Sequence, residues 1–249
     1  MIGTDSSAES RVVAALYGAV LTAAGEKVEK APTGYASPSD SVQAVLARKI
    51  GLVPAYESIM LRALPGGEVV PGDMEATLSM ALPPGIVALP SAAAQRGVVL
   101  AVSKVTARRH GMSGLADLGR SGSRLTLGGP ASSDPDAPTT SALKKAYGVT
   151  LTEAEISGTA DVLVLRSSDP AIARNGLVVL TDPKAVVPPE HVFPLISSSA
   201  VDATGRAALA RLNTVLTTDQ LARLTSSVNA GRTPAKAARA WLRSKDLLR

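Results

Sequence analysis

The chain has 249 residues, 45% of them hydrophobic, enough to fill one large core or two modest ones and to exclude a disordered or fibrous chain. Its net charge of +5 is uneven, because residues 197–249 hold 9 Lys and Arg against 3 Asp and Glu. Trp241 alone interleaves an aromatic ring with those charges, too few for a stacking surface, so a solvated helix face is favoured over nucleic-acid binding, with weak attraction to an anionic membrane or transporter surface as a secondary expectation. The lack of cysteine excludes disulfides, thiolate metal sites and Cys nucleophiles.

Met1–Gly3 reads as a strand rather than as an export leader. Ser6 or Ser7 can cap a helix from about Ala8 that Gly25 stops. A strand at Val28, a helix over Asp40–Arg48 and a strand over Ile50–Val53 follow. This β-α-β-α-β order predicts a parallel sheet whose ligand groups lie beyond the carboxyl ends of the strands. Thr4, Asp5, Ser6, Tyr56, Glu57 and Ser58 occupy such ends. Residues 65–90 are rich in Gly and Pro, with a helix predicted over Asp73–Met80.

Val98–Val102 is the next apolar strand. A short helix near Ser113–Leu118, a strand over Leu125–Leu127, the Gly128-Gly129-Pro130 turn and a helix over Ser141–Tyr147, stopped by Gly148, come after it. The turn reads as a place where backbone approaches a ligand cleft. Val162–Leu165 and Leu177–Leu180 are short apolar runs bounded by turn residues, the pattern of buried strands, here bracketing a turn at Asp169 and Pro170. Phe193–Ser197 is the last strand. Helices over Ala203–Leu216, Asp219–Val228 and Pro234–Leu248 close the chain, the last with Pro234 in its first turn and Thr233 as cap.

Catalytic and cofactor chemistry finds little support. His110 and His191 are the only histidines, Arg108-Arg109-His110 reads as a polar linker, and no nucleophile elbow occurs. Gly128-Gly129-Pro130 lacks the lysine of a phosphate-binding loop, and Asp134-Pro135-Asp136 lacks the Gly and distal Glu of a calcium loop. No enzyme activity, cofactor or metal is expected, and ATP hydrolysis would belong to another subunit.

Taken together, Ile2-Gly3-Thr4-Asp5, Leu52-Val53-Pro54-Ala55-Tyr56-Glu57, Leu143-Lys144-Lys145-Ala146-Tyr147-Gly148, the run from Asp161 to Ile196 with Pro188-Pro189, and the Ala238–Leu248 helix resemble a known family. It is the substrate-binding proteins of osmoprotectant ABC transporters, the glycine betaine/choline (ProX-like, OpuAC-type) family. The resemblance implies an α/β, two-lobed type II periplasmic-binding-protein fold with two hinge-strand crossings. Lobe one would comprise residues 1–98 and 196–249, and lobe two residues 99–195. It also implies an extracytoplasmic monomer, lipid-anchored through a segment upstream of Ile2, that closes on a small solute and presents it to an ABC permease and its ATPase.

The family holds a quaternary ammonium group in an aromatic cage and the ligand carboxylate on basic residues. By resemblance Tyr56 is a cage tyrosine, whereas Val98 and Glu190 stand where the family has tyrosines. A helix carrying a further cage tyrosine is missing between Tyr147 and Asp161. Asp5 stands in place of the opening lysine and Asp134 in place of a loop arginine. Tyr17, Tyr147, Phe193 and Trp241 read as core, and Tyr35 lies in a loop. Exchanging cations for carboxylates disfavours glycine betaine and favours a polar or cationic solute without a carboxylate, bound by Asp5, Tyr56, Glu57, Asp134 and Glu190 with Asp169 and His191 nearby. The alternative is an envelope lipoprotein that keeps the fold as a sensor or interaction module.

Overall fold

The computed structural model describes residues 1–31, 34–64, 74–120, 124–134, 136–154, 160–188 and 190–248. The chain divides into two compact units, Met1–Gln95 with Glu190–Arg249, and Arg96–Pro189.

The first unit begins with α1 (Ala8–Ala23). Ser7 caps it by accepting from the Ser10 N–H, and Val12, Val13, Leu16, Tyr17, Val20 and Leu21 turn its apolar face into the core. Helix α2 (Pro38–Leu46) starts earlier than the predicted Asp40, because Ser37 caps it and Pro38 fits its first turn. Then come β1 (Leu52–Tyr56), α3 (Glu57–Ala63), α4 (Met74–Ala81) and β2 (Ile86–Ala88). Ile2 bridges Lys30 and Leu52 in parallel, as the β-α-β-α-β reading requires.

The second unit contains β3 (Val98–Val102), α5 (Lys104–His110), α6 (Leu115–Leu118), β4 (Leu125–Gly128), α7 (Thr140–Tyr147), β5 (Leu151–Glu153), β6 (Val162–Arg166), α8 (Pro170–Arg174) and β7 (Val178–Val179). Its sheet runs β5-β4-β6-β3-β7, with β4 parallel to β5 and β6 and β3 antiparallel to β6 and β7. The chain returns to the first unit through β8 (Val192–Ser197), followed by α9 (Ala203–Val215), α10 (Thr218–Asn229) and α11 (Pro234–Arg243).

Several sequence expectations change here. Strand β8 pairs antiparallel with β1 along its length, from Leu52 opposite Ile196 to Tyr56 opposite Val192, and with β2, so the first sheet is mixed rather than purely parallel. All of β8 therefore belongs to the first unit, and the return falls at Glu190 rather than at 196. Arg108, Arg109 and His110 are the last turn of α5, not a linker; Ser103 caps that helix and Gly111, at φ 60°, ends it. The turn at Asp169 and Pro170 is the start of α8, with Asp169 as cap. Strand β7 is a two-residue edge rather than a buried strand, and Val179 is exposed.

Gly129 has a stricter role than the sequence suggests. Its φ is 156°, and a Cβ there would lie 2.3 Å from the Val164 carbonyl oxygen and 2.7 Å from the Val164 nitrogen. Glycine is required because the chain passes against the backbone of β6, rather than to admit a ligand. Each unit has its own core. Leu16, Tyr17, Tyr56, Leu209 and Leu212 lie in the main cluster of the first unit, Phe193 and Leu195 lie in its second cluster, and Leu100, Leu115, Leu127, Leu143 and Val164 fill the other unit.

Candidate ligand-binding site

In the first unit the residues at the carboxyl ends of the strands are drawn together by hydrogen bonds. The Asp5 N–H donates to Ser10 Oγ at 3.2 Å, and Asp5 Oδ1 accepts from the Ser7 N–H at 2.7 Å. Asp5 thus supports the start of α1, where an anion complements the helix dipole. Ser6 is exposed. Tyr35, unplaced by sequence, bridges Asp5 and packs on the second cluster.

Tyr56 ends β1 and leads into α3. Its side chain is 1% exposed, and its hydroxyl donates to Glu9 Oε1 at 2.6 Å. Glu190 Oε1 accepts from the Ser58 N–H at 2.6 Å in the first turn of α3. Glu57 Oε2 accepts from the His191 N–H at 3.2 Å and lies 3.2 Å from His191 Nδ1, while Ser91 Oγ donates to Glu57 Oε1 at 3.5 Å. Four carboxylates, Asp5, Glu9, Glu57 and Glu190, are all buried here.

The bond to Glu57 raises the pKa of His191 above its ordinary 6.5, against an opposing effect of burial, with smaller contributions from the Glu57 and Glu190 charges. A raised histidine pKa means that the folded chain binds the proton more tightly than the unfolded chain. The stabilisation is fully present below 6.5 and disappears as pH rises through the folded value. The His191→Gln variant should therefore lose stability relative to the parent below 6.5 and converge with it at alkaline pH. Urea midpoints measured across that range test this, and a gap that does not change with pH would refute it.

In the second unit a different set converges at the end of β6. Arg166 forms an ion pair with Asp134, and Val98 lies opposite Arg166 in the β3–β6 register. Asp134 also accepts from the Asp136 N–H at 2.9 Å, and Asp169 from the Ala171 N–H at 2.8 Å. Pro130, Ala131, Ser133, Asp134, Arg166 and Asp169 line a hollow of about 360 Å³. Its single guanidinium is neutralised by Asp134, leaving Asp169 as surplus negative charge.

The family model for the substrate-binding domain of ABC-type glycine betaine transport systems matches residues 1–244. The chain belongs to this family. Among solved structures, a glycine betaine/carnitine/choline ABC transporter protein is similar at 19% identity and TM-score 0.82, covering 99% of this chain and 98% of its own. Apo YehZ from Escherichia coli is similar at 18% identity and TM-score 0.73, with 98% of each chain covered. Lactococcal OpuAC, in its closed-liganded conformation with glycine betaine, is similar at 14% identity and TM-score 0.57, covering 98% of this chain and 95% of its own. These likenesses establish the α/β fold of two-lobed periplasmic binding proteins. No curated protein matches the chain.

As a member of this family the chain is an extracytoplasmic substrate-binding protein of a glycine betaine/choline-type ABC transporter. Its structure gathers the expected residues in two groups: Asp5, Tyr56, Glu57, Ser58, Glu190 and His191 in the first unit, and Val98, Asp134 and Asp169 in the second. Thr4 lines a separate groove beside α1. Sequence reasoning missed Glu9, Ser91 and Arg166. The position of Arg166 at the end of the Val162–Leu165 run was a usable signal, whereas nothing local marks Glu9 as the partner of Tyr56. The expected missing helix falls partly on residues 155–159, and the double proline includes 189, both outside the described residues.

Proposed function

We infer that this chain captures a cationic or polar solute lacking a carboxylate and delivers it to an ABC permease and its ATPase. The chain would act as a monomer held at the cell envelope by a lipid anchor, the last being a family expectation. The observation that carries the ligand class is the state of the charged groups. Arg166 is engaged by Asp134, and the strand ends of the first unit bring together buried Asp5, Glu9, Glu57 and Glu190. A ligand carboxylate would meet repulsion there, while a cation would be attracted.

A second reading, that of a sensor or interaction module without osmolyte binding, draws on the burial of Tyr56, whose hydroxyl is committed to Glu9. A thermal-shift screen separates the two, because a solute at 100 times its Kd stabilises the folded state by about 2.7 kcal/mol. Choline or a polyamine should raise Tm more than glycine betaine does at the same concentration. If no betaine, choline, carnitine, polyamine, amino acid or sugar shifts Tm, the sensor reading replaces the transport one.

A further inference from the structure

Helix α1 presents two unlike faces. Its large residues, including Leu16, Tyr17, Val20 and Leu21, enter the core, while the line Ala15, Gly18, Ala19 and Thr22 forms the floor of a groove of about 540 Å³. Ile2, Thr4, Val28 and Lys30 form one wall; Ala235, Arg239 and Arg243 of α11, with Leu248, form the other. The whole groove lies within the first unit and is separate from the groups described above. Its volume falls within the range of small-molecule sites. Arg11, Lys30, Arg239 and Arg243 supply its charge, and among the described residues no carboxylate lines it.

An apolar floor with a rim of one charge sign selects an amphiphile of the opposite sign. From Arg11 to Ala23 the helix spans roughly 18 Å at about 1.5 Å per residue, so the groove is elongated along α1. We propose that it binds a monomeric medium-chain carboxylate, with its alkyl chain along Ala15, Gly18 and Ala19 and its anionic head at Arg239 and Arg243. Charge complementarity sets this occupant apart from a neutral amphiphile. Spacing supports the same assignment, since Ala235, Arg239 and Arg243 follow the four-residue repeat that aligns side chains on one helix face.

Calorimetric titration with octanoate, decanoate and decanol, below their micellar concentrations, tests the proposal. Decanoate should bind, octanoate should bind about fifteenfold more weakly, since each buried methylene is worth about fourfold, and decanol should lose at least tenfold. The double variant Arg239→Glu with Arg243→Glu should lose at least tenfold for decanoate, and Ala19→Leu, which fills the floor, should abolish binding while retaining the parent Tm. Glu190→Gln should leave decanoate binding unchanged, which keeps this site distinct from the transport ligand. Equal binding of decanol, affinity insensitive to the arginines, no binding of decanoate, or arginine-dependent binding only to anionic phospholipid vesicles would each overturn it.

Discussion

Gly129→Ala is expected to destabilise the chain by about 3 kcal/mol, within the range of severe backbone and packing defects. Two costs act together. At φ 156° an L side chain adopts a rarely populated conformation, and its Cβ would sit 2.3 Å from a backbone oxygen. Backbone cannot rotate aside as a flexible side chain can, so relief requires moving β4 away from β6, whose pairing joins Leu127 to Val162 and Gly128 to Leu163. Urea unfolding should show a lower midpoint, with tryptophan fluorescence reporting the first unit through Trp241 and circular dichroism reporting the whole chain. Gly148→Ala is the comparison, since Gly148 also has positive φ, at 69°, but its Cβ would meet nothing within 4 Å. That variant should cost about 1 to 2 kcal/mol, the cost of a left-handed conformation for an L residue. Equal costs at the two positions would show that the contact with Val164 is unimportant.

Glu190→Ala is the second large effect, about 2 to 4 kcal/mol of stability. A carboxylate hydrogen bond to a backbone N–H is worth about 1.5 to 3 kcal/mol, and truncation adds a cavity at a side chain only 1% exposed. Glu190 joins the segment entering β8 to the first turn of α3, so its loss loosens a contact between elements far apart in sequence. Glu190→Gln keeps the shape and loses the charge; it should cost less than the alanine variant. Chemical denaturation of both variants checks the order, and an alanine variant as stable as the parent would remove Glu190 from the structural account.

Much of the fold can be read from residue chemistry alone. Ser7, Thr233 and Gly148 act where capping rules place them, and Val162–Leu165 is a buried strand because both of its neighbours pair with it. What escaped were elements whose local signals conflict. Arg108-Arg109-His110 looks like a polar linker, yet it ends α5, which Ser103 caps and in which only Ala107 is buried. Strand β7 looks like a core strand because Val178 and Val179 are β-branched, yet it takes the sheet edge. The site divides in the same way. Tyr56 and Glu57 can be named from sequence because they end a strand, whereas Glu190 is named by its resemblance to a family position and His191 by its place beside it. Their partners cannot: the bond between Tyr56 and Glu9 spans 47 residues and that between Ser58 and Glu190 spans 132, separations at which no periodicity speaks.

The ligand's charge is the centre of the functional account. Titration calorimetry comparing choline with glycine betaine measures it directly, because the two share the quaternary ammonium group and differ in the carboxylate. Choline should bind at least tenfold more tightly, the discrimination expected when a charge-assisted bond worth about 1.5 to 3 kcal/mol is missing for the carboxylate. Glycine betaine binding as tightly as choline, or more tightly, would contradict the proposal that buried Asp5, Glu57 and Glu190 select against a carboxylate.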